Sequence, residues 1–171
     1  MSGLMIDMER SAVISDCENY RYLLKRIWDH EKLRALLVML NPSTADADVD
    51  DPTIRACYRL LDALGYGSFE VVNLFGLRAT DPKGLACAVD PVGRDNDRIA
   101  EEAAERCDVM VCAWGANPFA AARTHRGRTM VRIAVSSYLV VQCFGLTQKS
   151  HPKHPLYIKT GTTLEPWVAK C

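Results

Sequence analysis

From Leu33 to Leu40 the chain is almost wholly apolar, the pattern of a parallel strand covered on both faces, and the run stops at Asn41-Pro42. Upstream, Val13, Ile14, Tyr20, Tyr22, Leu24 and Ile27 alternate unevenly over residues 11–28 and are interrupted by Asp16 to Asn19, which predicts two antiparallel strands joined by that turn. Downstream, Asp51-Pro52 has the form of an N-cap followed by a proline at the first helical position. Ile54, Cys57, Tyr58, Leu61 and Leu64 then recur at helical spacing, and Gly65 closes the helix.

The same reading continues along the chain. Phe69 to Leu74 is the next strand, and Arg78 to Gly93 is a long loop with one short helix after Asp81-Pro82. Asp95 to Cys107 reads as a helix whose acidic first turns suit the helix dipole. Val109 to Trp114 is a third buried strand, Asn117-Pro118 starts a helix running to about Ser136, and Tyr138 to Phe144 is the fourth strand. The tail from Thr147 onward reads as loop that packs back on the sheet. Strands alternating with helices imply right-handed crossovers. The expected fold is therefore α/β, a three-layer α/β/α sandwich with a mainly parallel central sheet of about four strands plus an N-terminal antiparallel hairpin. Residues 1–171, with 49% apolar content, are expected to form a single domain around one core.

Charge and cysteine usage narrow the function classes. The 21 basic and 21 acidic side chains cancel, so no overall field draws the protein to nucleic acid, and any basic surface must be local. Arg123, His125, Arg126, Arg128 and Arg132 form the one basic concentration, either a solvated helix face or a local phosphate grip. Seven cysteines without a Cys-x-x-Cys pair fit neither a disulfide framework nor a zinc site, and Cys112 and Cys143 read as small hydrophobes in strands. The mixed charge of Asp7, Glu9 and Arg10 argues against a signal peptide, and no apolar stretch reaches bilayer length. A cytoplasmic protein with no membrane partner is expected.

Four polar motifs sit just after apolar runs: Asn41-Pro42-Ser43-Thr44, Asn73-Leu74-Phe75, Trp114-Gly115-Ala116-Asn117-Pro118, and His151-Pro152-Lys153-His154-Pro155. In an open parallel sheet the carboxyl ends of neighbouring strands converge on one crevice, so four separate stretches can build one site. Asn41 either closes a local Asx-turn or orients a water or ligand carbonyl. Asn73, wedged into an apolar run, is either tied to backbone or left for a ligand presenting both donor and acceptor, as a nucleobase edge does. Gly115 allows close backbone approach, and the helix start at Asn117 suits an anion or simply a cap. His151 and His154 lie in a proline-stiffened loop and can donate to a developing anion near neutral pH. The acidic run Asp46, Asp48, Asp50, Asp51 is not a calcium loop, because the glycine is missing at Asp51 and Cys57 stands where a bidentate glutamate belongs. It is a solvated loop and cap, or it supplies Asp46 or Asp48 as a general base. No metal and no cofactor is expected.

Taken together, Met39 to Asp46, Asp51-Pro52-Thr53-Ile54-Arg55, Asn73-Leu74-Phe75, Arg78-Ala79-Thr80-Asp81-Pro82, Asp90 to Asp97, Ala113-Trp114-Gly115 and His154-Pro155-Leu156-Tyr157 resemble the family called domain of unknown function 1643. More distantly, the order Asn41-Pro42, Asn73, Trp114-Gly115, His154-Pro155 is similar to the motif order of the uracil-DNA glycosylase superfamily. That resemblance implies a uracil-DNA-glycosylase-like fold and cleavage of an N-glycosidic bond. It casts Asn41 as positioning the water, Asn73 as holding the base, and His154, or else His151, as stabilising the base anion. Ser43-Thr44 stand where several members place a stacking aromatic, so Phe75 is the stacking candidate, with Pro42, Ser43, Thr44, Trp114, Gly115, Asn117 and Arg78 completing the binding set. The expected partners are a nucleobase, a nucleotide, or single-stranded or damaged DNA. The rival expectations are a non-catalytic nucleotide or nucleic-acid binding module, and a hydrolase or transferase of free phosphorylated nucleosides.

Overall fold

The computed structural model of the chain describes residues 8–81 and 83–169. β1 (Glu9–Ile14) and β2 (Arg21–Ile27) form the antiparallel hairpin, with a register shift at Val13/Ile14 and Glu18 in the turn at φ 60°. The apolar runs form β3 (Arg34–Met39), β4 (Ser68–Asn73), β5 (Val109–Cys112) and β6 (Val140–Cys143), which pair in parallel in the order β4-β3-β5-β6. The hairpin belongs to the same sheet, because β2 pairs antiparallel with β4. At the opposite edge β7 (Glu165–Pro166) pairs antiparallel with β6.

Alternation along the central strands sorts their side chains to two faces. Ala35, Leu37, Phe69, Val71, Val109 and Val111 meet α1 (Pro52–Ala63) through Ile54, Cys57, Leu60 and Leu61. Leu36, Val38, Val72, Met110 and Cys112 meet α3 (Asn96–Ala104) and α5 (Thr124–Ser136) through Ile99, Ala100, Ala103, Met130, Ile133 and Ala134. Each large aliphatic side chain withdrawn from water in this way contributes about 1.5–3 kcal/mol. The ends of α1 follow its sequence signals: Asp51 accepts the Ile54 N–H at 2.9 Å, and Gly65 takes φ +85° beyond the last turn. α2 (Lys83–Ala86) is the short helix of the long loop, while Pro82 itself lies outside the described residues.

Several boundaries depart from the periodicity. The helix expected from Asn117-Pro118 to Ser136 is broken into α4 (Pro118–Ala121) and α5, although Asn117 does cap it, accepting the Phe119 N–H at 2.8 Å. The break falls at Arg123 (φ −124°, ψ 51°), whose guanidinium lies 3.6 Å over the Phe119 ring, a cation–π contact that offsets the lost helical turn. Asp95 makes no side-chain cap to α3; it pairs instead with Arg98 at 3.1 Å. Tyr138 takes φ 58° in the turn before β6, so that strand starts later than the apolar run does. The tail is not all loop: it forms β7 and a 3₁₀ turn at Pro155–Tyr157, and Ile158 joins the core on the α1 side.

Buried charges tie these pieces together. Glu70 on β4 is fully buried and accepts from Arg106 (2.7 and 3.2 Å) and Arg34 (3.3 Å). Arg26, also fully buried, pairs with Asp50 at 2.8 Å and donates to the Asp46 carbonyl at 2.7 Å, which fixes the acidic segment after β3. Cys112 and Cys143 are buried free thiols, and burial pushes both thiol pKa values up. Among the described residues, no helix is long and apolar enough to cross a membrane.

Candidate functional site

Met39 faces Asn73 across one ladder and Val38 faces Cys112 across the other, so the carboxyl ends of β3, β4 and β5 are level. β4 lies on one side of β3 and β5 on the other, so the strand order reverses there, where open α/β sheets hold their ligands. A cavity of about 350 Å³ occupies this edge. Asn41 and Ser43 line it after β3, Asn73 at the end of β4, Trp114, Gly115 and Asn117 after β5, and His154 from the late loop. The volume is within the range of small-molecule sites.

The two asparagines differ in how far the protein satisfies them. Asn41 donates through Nδ2 to the carbonyls of Ala79 (2.8 Å) and Pro42 (3.0 Å), which orients the amide. Its Oδ1 accepts no hydrogen bond among the described residues and remains an acceptor. Asn73 is 1% exposed, and among the described residues neither its Nδ2 nor its Oδ1 has a partner. Leaving a buried polar group unpaired costs about 1–3 kcal/mol. Its own peptide is held from behind, where Asn96 at the start of α3 donates to the Asn73 carbonyl at 3.0 Å.

The late loop reaches the cavity because the segment after β5 carries a glycine. Gly115 takes φ +75°, its N–H donates to the Pro152 carbonyl at 2.8 Å, and a Cβ there would lie 3.3 Å from that of His154. His154 in turn caps the 3₁₀ turn, its Nδ1 accepting the Leu156 N–H at 3.4 Å. The ring proton therefore sits on Nε2. Burial pulls the imidazole pKa below its ordinary value of 6.5, against a smaller upward pull from the Asp51 carboxylate, so the ring is a neutral donor at neutral pH.

Two charged residues in the cavity lining were not singled out by the strand-end reading. Asp51, legible as a helix cap, also faces the cavity. Arg21 is 3% exposed, donates through Nη1 to the Ala45 carbonyl, and leaves Nε unpaired. No carboxylate lies within ion-pairing distance of it among the described residues, and burial lowers its pKa to about 10. Its signal was hidden by direction: Arg21 begins β2, and because β2 runs antiparallel to β4 its first residue lies at the carboxyl edge of the parallel strands.

Other expected residues lie elsewhere. Phe75 cannot stack on a ligand, since it is fully buried with its ring 4.8 Å from that of Phe119. Asp46 does not line the cavity; its Oδ1 accepts the N–H groups of Val49 and Asp48, both at 2.9 Å, and these bonds hold its carboxyl below the usual carboxylate range. Asp48 and Thr44 are exposed outside the lining, and Pro42 is buried with its carbonyl accepting the Ala79 N–H at 3.0 Å. Arg78 donates to the Glu18 carbonyl at 3.4 Å beside the cavity, not in its lining. His151 lines a separate cavity of about 230 Å³ behind Trp114, with Trp167. The basic concentration is not one phosphate grip, because Arg126 is buried against Asp97 (2.5 and 3.0 Å) and the Leu74 carbonyl (2.8 Å). Among the described residues, no group of three His, Cys, Asp or Glu side chains could hold a metal ion.

Fold and cavity together define a mixed α/β protein with a polar crevice at the carboxyl edge of its parallel strands. The chain belongs to the family described as "Protein of unknown function (DUF1643)", which matches residues 21–156. No curated protein matches it. Among solved structures it is similar to a chain of the hetero-hexameric glutamate dehydrogenase from Thermus thermophilus in its leucine-bound form, at 12% identity and a TM-score of 0.34, over 77% of this chain and 30% of that one. A likeness at that level carries no argument about this chain.

Proposed function

We propose that the crevice binds a nucleobase or nucleotide and cleaves its N-glycosidic bond, on a three-layer α/β/α scaffold like that of the uracil-DNA glycosylase superfamily. The observation that carries this reading is Asn73, a residue of the cavity lining whose buried side-chain donor and acceptor are both unpaired among the described residues. A nucleobase edge presents the complementary donor and acceptor side by side.

The chemistry follows from the neighbours. Hydrolysis breaks the bond between the sugar C1′ and the base nitrogen, joins the water oxygen to C1′, and leaves the water proton on the base. Asn41 Oδ1 accepts a hydrogen from that water and aims it, though an amide does not take its proton. Negative charge gathers on the departing base, where the neutral Nε2–H of His154 donates from a fixed position without reorganisation. The protein acts in the cytoplasm in this reading, where exposed free thiols such as Cys17 and Cys87 persist. The alternative with Asp46 or Asp48 as general base draws no support from the geometry, since neither lines the cavity.

Incubation with a panel of modified-base oligonucleotides and free nucleotides, scored by mass for released base, tests the proposal. Wild-type protein should release a base, and Asn41→Ala should slow release at least about a hundredfold while the circular dichroism spectrum is unchanged. Equal release by the variant removes the water-orienting role. Binding without release, unaltered by His154→Ala, replaces the enzyme with a nucleotide-binding module.

A further inference from the structure

Arg21 is a buried cation with no carboxylate at ion-pairing distance among the described residues, Asp51 and Asp46 acting on it only from further off. It lines the same cavity as Asn73, and its backbone N–H donates to the Gly76 carbonyl at 3.0 Å, three residues beyond that asparagine. Among the described residues the Nε edge of the guanidinium has no acceptor, and Nη1 is committed to the Ala45 carbonyl. Every other buried arginine in the described chain has a carboxylate: Arg26 has Asp50 and Arg126 has Asp97. Holding a guanidinium out of water with neither a carboxylate nor a full set of acceptors is costly, and a bound anion offering two oxygens removes that cost. Asp51 shares the cavity but spends one oxygen on the cap of α1 and does not reach ion-pairing distance.

We propose that Arg21 forms an anion subsite beside Asn73 and that the ligand is a free nucleoside monophosphate, its phosphate on Arg21 and its base on Asn73. The base half of this assignment rests on the function proposed above; the anion half stands on Arg21 alone. Charge favours the free nucleotide over a nucleic-acid strand. The chain carries 21 basic and 21 acidic side chains and so offers no net pull on a polyanion. The segment leading to the crevice adds Asp46 and Asp48 outside the lining, neither in an ion pair among the described residues, and these repel a strand that runs past them more than a single phosphate held on Arg21.

Titration calorimetry with the deoxynucleoside 5′-monophosphates of adenine, cytosine, guanine, thymine and uracil, the matching nucleosides, inorganic phosphate and single-stranded homo-oligonucleotides tests this. For the preferred base, the monophosphate should bind at least tenfold tighter than its nucleoside and tighter than the oligonucleotide. Inorganic phosphate should compete with the monophosphate and raise the unfolding temperature. Arg21→Met, close in volume, should lose the tenfold advantage, and Arg21→Lys should keep part of it; unchanged circular dichroism establishes that each is folded. Nucleosides binding as well as monophosphates, or an advantage that survives in Arg21→Met, overturns the anion subsite and leaves the base reading intact. Phosphate binding that depends on Arg21, with no gain from any base, keeps the subsite and removes the base reading. A tighter oligonucleotide overturns the choice of free nucleotide, and no binding by any probe overturns the whole assignment.

Discussion

At position 73 folding encloses an amide at the end of a buried strand and gives neither of its polar atoms a partner among the described residues. Leucine has nearly the same shape and nothing to satisfy. Asn73→Leu should therefore leave the protein as stable as wild type or more stable, by up to about 1 kcal/mol in urea unfolding, while base binding falls at least tenfold in titration. Marked destabilisation would mean the amide has a structural partner and the residue no ligand role. Asn73 was legible because a polar residue at the end of an apolar strand stands out by type alone. Phe75 two residues on was misread for the same reason: an aromatic is equally at home in a core or on a base. Only its contact with Phe119 decides between them.

Among the elements, α1 was the most legible, because its cap, its proline and its apolar stripe all agree. Asp51 has a second position in the cavity lining, and substitution can separate the two parts. Asp51→Asn keeps a side-chain oxygen for the Ile54 N–H and should unfold within a few tenths of a kcal/mol of wild type, whereas Asp51→Ala should cost about 1 kcal/mol. An equal loss of base release in both variants assigns the chemistry to the carboxylate charge; loss in the alanine variant alone assigns it to helix placement. The division of α4 from α5 was not legible. Helical spacing continues through Arg123, and the break depends on where its guanidinium meets Phe119 in space.

For the molecule as a whole, the buried carboxylate of Glu70 joins β4 to β3 and to the chain after α3 through Arg34 and Arg106. The two sides of this cluster are unequal. Glu70 is wholly buried, while the side chains of Arg34 and Arg106 are 23% and 41% exposed. Removing both arginines strands the charge, so Arg34→Ala with Arg106→Ala should cost about 3–5 kcal/mol in urea unfolding. Glu70→Gln should cost less, because the freed guanidiniums can turn to water. If the two losses were alike, the asymmetry of burial would not govern this cluster.

Strand and helix periods, the hairpin turn, the cap of α1 and the polar residues at three strand ends are properties of neighbouring residues, and the chain's own order determined them. It determined too that Asn41 and Asn73 end up at one edge, since successive parallel strands present the same end to solvent, whereas His154 rather than His151 reaches that edge through tertiary contact. Tertiary structure alone decided which polar atoms remain unpaired, that His151 and Asp46 fall outside the cavity, and that Arg21 falls inside it. The reason is physical: pairing and burial depend on residues distant in sequence. The antiparallel placement of β2 against β4, a long-range contact, is what carries a strand's first residue to the end where the others finish.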